Sequence, residues 1–123
     1  DVIIPDESYS IPVEVKSPTE EKMLSIKAIR QALENKVLLL ARKPFKTEYD
    51  TSSFAIGFNI PNTRSDVYKL IDEIHQTYGI NIAIINMEQL ISADFYCSKS
   101  NRYFDISEFK NKKGVIHFEY ENL

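Results

Sequence analysis

Glu14 and Lys16 are the residues whose chemistry stands out in this chain of 123 residues. They fall in the run Ile11-Pro12-Val13-Glu14-Val15-Lys16, where Ile11, Val13 and Val15 alternate with Pro12, Glu14 and Lys16. Alternation at period two is the signature of a strand, so the carboxylate and the ammonium point the same way. Such a pair could bind a hard divalent cation, polarise a water and stabilise charge growing on a phosphate. The competing reading is a plain solvated strand face.

A second carboxylate is within reach if the chain opens with a hairpin. Val2 to Ile4 is a β-branched run, and Pro5-Asp6-Glu7-Ser8 is turn chemistry. With residues 5–10 forming the turn, Ile4 opposes Ile11 and Asp1 faces Glu14. Directly opposed residues have Cβ atoms about 5 Å apart. Two carboxylates so close repel unless a cation lies between them, and Mg²⁺ prefers such oxygen ligands. Asp6 is the rival ligand. It lies in the turn, eight residues from Glu14, and at about 3.3 Å per strand residue it does not readily share a metal with it.

The elements that must position these residues follow in order. Ser17 fits a helix N-cap, Pro18 the first helical position and Glu20 a capping box, so a helix is expected from about Pro18 to Arg42. Met23, Ile26, Leu33, Val37 and Leu40 form its apolar stripe, and Lys43-Pro44 ends it. Phe54 to Ile60 reads as a strand buried on both faces. Ser65 caps a second helix with Val67, Leu70, Ile71, Ile74 and Tyr78 on one face, and Gly79 stops it. Asn81 to Asn86 is a second buried strand, and Met87 to Ile91 a short helical turn. Aromatic-rich segments at Phe95–Cys97 and Tyr103–Ile106 lead to a strand over Val115–Tyr120. The expected fold is α/β, a mixed central sheet flanked by helices. It forms a single domain over 1–123, with a core at 1–91 and a strand-rich extension at 92–123.

This arrangement resembles the PD-(D/E)XK nuclease superfamily, the restriction-endonuclease-like fold. The resemblance rests on Asp1 in the first strand and Glu14-Val15-Lys16 in the second. It extends to the helix holding Gln31-Ala32-Leu33-Glu34-Asn35 and to the strand-helix-strand unit after it, and so spans 1–91. It implies a Mg²⁺-dependent DNA endonuclease, with Mn²⁺ as a substitute, of the kind found in restriction systems. Asp1 and Glu14 would bind the metal, Lys16 would position the attacking water, and Gln31 would be an auxiliary catalytic residue. The family's first helix and strand would precede residue 1 and so be missing. The alternative is the same fold kept as a catalytically inactive module for DNA or protein binding. A third class is a small α/β domain for a small ligand or partner protein.

Charge and composition narrow the choices. The net charge of −3 argues against indiscriminate nucleic-acid binding. Yet Lys16 to Lys46 holds eight basic residues against three acidic ones. Within it Lys22, Lys27 and Arg30 are the expected DNA-contacting residues. A second basic stretch, Lys99 to Lys113, sets Lys99, Arg102, Lys110, Lys112 and Lys113 among Tyr103 and Phe104. Basic residues beside aromatics can touch phosphates or stack on bases, although a strand with its turns is the more ordinary reading. The three glycines do not cluster, which excludes a phosphate-binding loop, and no Gly-x-Ser-x-Gly elbow occurs. His75 and His117 have no ligand-spaced partner, and Cys97 reads as a small buried hydrophobe. One cysteine and no bilayer-length apolar run suggest a cytoplasmic protein with no membrane partner. Because residue 1 is Asp, the chain is expected to come from a larger parent; a homodimer would suit cleavage of two strands.

Overall fold

The computed structural model describes residues 2–5, 10–19, 23–42 and 51–123. Five strands form one sheet in chain order: β1 (Val2–Pro5), β2 (Ser10–Val15), β3 (Ser53–Gly57), β4 (Ile82–Asn86) and β5 (Gly114–Val115). The pair β1 and β2 is antiparallel, and β2 through β5 run parallel. Three helices connect the parallel strands: α1 (Ile26–Ala41), α2 (Asp66–Tyr78) and α3 (Met87–Lys99). The fold is therefore a mixed α/β sheet with helices on its faces. The hairpin register matches the expected one, with Ile4 opposite Ile11 and Val2 opposite Val13. Asp1 and Asp6 lie outside the described residues.

Both faces of the sheet are covered, which explains the continuous apolar runs of β3 and β4. On one face Ala55, Ile82 and Ile84 pack with Ala28, Ile29 and Ala32 of α1 and Val67, Ile71 and Ile74 of α2. On the other, Ile11, Val13, Phe54, Ile56, Ala83 and Ile85 pack with Ile116, Met87, Leu90 and Phe109. Phe118 closes this second layer, edge-on to Phe109 at 5.0 Å and to Phe104 at 5.6 Å. Between α3 and Phe104 the layer opens into an apolar groove of about 390 Å³, lined by Val13, Val15, Ile56, Leu90 and Ile106 among others.

The second helix follows its local signals. Ser65 Oγ accepts the Val67 N–H at 3.2 Å, and Gly79 takes the left-handed conformation that ends the helix. Tyr78 departs from the expected apolar face and is mostly exposed. β3 ends at Gly57, three residues before the expected Ile60.

The first helix differs more. Pro18 and Thr19 sit in a turn, and α1 starts at Ile26 with Ser25 at the N-cap position, where its side chain does not cap the helix. The reason is tertiary. Leu24 is buried against Gly57, and its N–H donates to the Asn59 carbonyl at 3.2 Å, which anchors the chain beside the end of β3 just before Ser25. Met23 and Val37, expected in the buried stripe, are about half exposed. The buried stripe is instead Ala28, Ile29, Ala32, Lys36 and Leu39. Its alanines let α1 approach the sheet closely enough for Ser53 Oγ to donate to the Ala32 carbonyl at 2.6 Å.

The C-terminal third also departs from expectation. The short turn at Met87 extends to Lys99 as a full helix, so Phe95–Cys97 is helical. Asn86 drives this from both ends of its side chain: Oδ1 caps the Gln89 N–H at 3.1 Å, and Nδ2 donates to the Phe58 carbonyl at 3.2 Å. Leu90, Ala93 and Cys97 turn its buried side inward. Of the remainder only Gly114–Val115 pairs as a strand, and Tyr120–Asn122 is a 3₁₀ turn. Among the described residues no helix is long and apolar enough to cross a membrane.

Candidate active site

The charged side of β2 is not solvated. Glu14 and Lys16 share the side of the strand that faces α1, and they are only 5% and 9% exposed. In the parallel pairing Glu14 lies beside Ala55 of β3, whose side chain is too small to compete for the space. Lys16 extends the ladder by one bond, its N–H donating to the Ile56 carbonyl at 2.9 Å. Both residues therefore stand at the carboxyl end of a parallel strand, where open α/β sheets bind their ligands.

Buried charges are expensive unless paired and hydrogen-bonded. Glu14 meets both conditions. The Lys16 ammonium lies 3.2 Å from Glu14 Oε1. Asn35 Nδ2, from α1, donates to Glu14 Oε2 at 3.0 Å. Each carboxylate oxygen thus has a separate partner. A buried ion pair contributes little net stability against an apolar replacement, so stability alone is a poor reason for this one.

Gln31 lies one helical turn before Asn35, on the same flank of α1. Its Oε1 is buried and has no hydrogen-bond partner among the described residues. An orphaned buried acceptor costs free energy, and a ligand or cation would relieve that cost. The donor set suits a hard divalent ion, since a carboxylate and an amide carbonyl are both oxygen ligands. Among the described residues no three His, Cys, Asp or Glu side chains converge.

Of the expected site residues, Glu14 and Lys16 come together, and Gln31 shares a helix flank with the residue that holds Glu14. Asp1 and Lys22 lie outside the described residues. Lys27 is exposed four residues before Gln31, on the same flank of α1. Arg30 turns to α2 instead, lining a groove with Asp66, Lys69 and Glu73, so its surroundings carry both charges. Asn35 is the residue that sequence reasoning passed over. Its signal was the four-residue spacing from Gln31, which puts two amides in a row on one helix flank.

The other polar candidates lie elsewhere. His75 and His117 are exposed, and Cys97 is buried in α3 as a small hydrophobe. In the basic, aromatic tail Phe104 packs into the aromatic layer, Tyr103 is almost wholly exposed, and Lys113 pairs with Asp72 at 2.9 Å. No family model, no curated protein and no solved structure matches this chain.

Proposed function

We propose that this chain is a Mg²⁺-dependent DNA endonuclease of the PD-(D/E)XK, restriction-endonuclease-like type. The observation that carries the proposal is the buried Glu14–Lys16 pair at the carboxyl end of β2, with Asn35 of α1 on its second oxygen. Glu14, with Asp1 and the Gln31 amide oxygen as further oxygen donors, would hold the divalent ion, which when bound neutralises phosphate charge and acidifies water. Glu14 binds and orients. Lys16 holds a water beside the phosphate and stabilises the negative charge that grows on it during phosphodiester hydrolysis. Lys27, exposed on the flank of α1 that carries Gln31 and Asn35, meets the DNA backbone.

The test is nicking of supercoiled plasmid with Mg²⁺ or Mn²⁺ by the whole chain, beside a Lys16→Met variant shown to be folded. Metal-dependent nicking by the wild type that disappears in the variant supports the proposal. Nicking at the same rate in Lys16→Met would remove the role given to Lys16.

A second reading keeps the same scaffold as an inactive module for binding DNA or protein. The observation that favours it is that both Glu14 oxygens already have partners within the chain, Lys16 on one and Asn35 on the other. It predicts DNA retention at low salt that does not respond to Mg²⁺, with no nicked product.

A further inference from the structure

The amide of Asn35 points to a role that its spacing from Gln31 marks only as a shared helix flank. Glu14 is 5% exposed, so the rotamer of its carboxylate is set by its partners and not by water. Lys16 alone would not set it. A flexible ammonium is a point charge that can follow either oxygen. Asn35 is different: it is anchored in the middle of α1, a helix packed on the sheet through Ala28 and Ala32. Its Nδ2 donates to Oε2 at 3.0 Å, across 21 residues of chain. That bond leaves Oε1 as the oxygen that faces Lys16, at 3.2 Å.

We propose that Asn35 is the positioning residue of this site, holding Glu14 in the orientation that binds the divalent ion. The inference rests on the nuclease reading above and adds to it a residue on a different element. An outer hydrogen bond to a metal-binding carboxylate typically changes metal affinity by about 10- to 100-fold. A bond that served only the fold would change the melting temperature and leave metal affinity alone.

The experiment compares the wild-type chain with Asn35→Leu, which keeps the branched shape without the donor, and Asn35→Ala, which removes the side chain beyond Cβ. Mn²⁺ is titrated into each and the free ion is followed by its electron paramagnetic resonance signal. In parallel, the Mg²⁺ concentration for half-maximal plasmid nicking is measured. The expected result is Mn²⁺ binding weaker by about 10- to 100-fold in both variants. The Mg²⁺ requirement should rise in parallel, while the rate at saturating Mg²⁺ stays close to wild type. Wild-type Mn²⁺ affinity in a folded variant, whatever its melting temperature, overturns the role of Asn35 and leaves the nuclease reading standing. A wild-type chain that neither binds Mn²⁺ nor nicks plasmid overturns both together.

Discussion

Leu24 occupies the space that a side chain on Gly57 would need. A Cβ built on Gly57 would lie 2.7 Å from Leu24 Cγ and 2.8 Å from its Cδ2. Leu24 is itself 3% exposed, within the core that α1 and α2 make with the sheet. This contact ties the residue before the Ser25 cap to the end of β3. Gly57→Ala should therefore destabilise the fold by about 1–3 kcal/mol through overpacking. Urea denaturation checks it. A Gly57→Ala/Leu24→Ala double variant should lose less than the sum of the two single losses, because the smaller residue makes room. Strict additivity would mean that Leu24 is not the obstacle.

The burial of Glu14 and Lys16 changes what a point substitution does. Lys16→Met alone strands a buried carboxylate, and breaking a buried pair on one side costs about 3–5 kcal/mol. Part of that loss should be spared, because Asn35 still bonds Glu14. Glu14→Gln/Lys16→Met together should sit closer to the wild type than Lys16→Met does, since the Glu14 charge is removed together with its cation. A double-mutant cycle by denaturation measures the coupling. A coupling near zero would mean that the two groups do not sense one another in the folded chain.

Tyr68 gives a prediction in pH. Its hydroxyl donates to the Pro61 carbonyl at 2.7 Å, and burial raises its pKa above the ordinary value of 10.0. The folded state therefore keeps this proton more tightly than the unfolded one. Its contribution is complete below pH 10 and is lost as pH rises through the folded value. Denaturation midpoints should fall more steeply above pH 10 in the wild type than in Tyr68→Phe. Equal slopes would show that Tyr68 titrates alike in both states.

Much of the frame was legible in the sequence. The alternation from Ile11 to Val15 set the hairpin register, because a shift of one residue would turn every side chain of β2 over. Ser65 and Gly79 marked the ends of α2, because caps act through the backbone within a few residues. The apolar runs after Ser53 and Asn81 marked two interior strands, since only a strand covered on both sides is apolar throughout.

Alternation along β2 showed that Glu14 and Lys16 share a side, but not what covers that side. Local sequence sees the two faces of a strand as equivalent until a helix is laid on one of them. The capping signals at Ser17-Pro18 were locally sound and were overridden by Leu24, whose burial against Gly57 outweighs an early helical turn. Asn35 met Glu14 only once α1 packed on the sheet, 21 residues from the strand it serves. The sequence determined the strands, the caps and the side on which the charges lie. The tertiary structure decided that those charges are buried, which amide holds them, and that they stand at the carboxyl end of the sheet. Hydrogen-bond and charge pairing across the chain depend on packing distance, and no spacing along one segment encodes it.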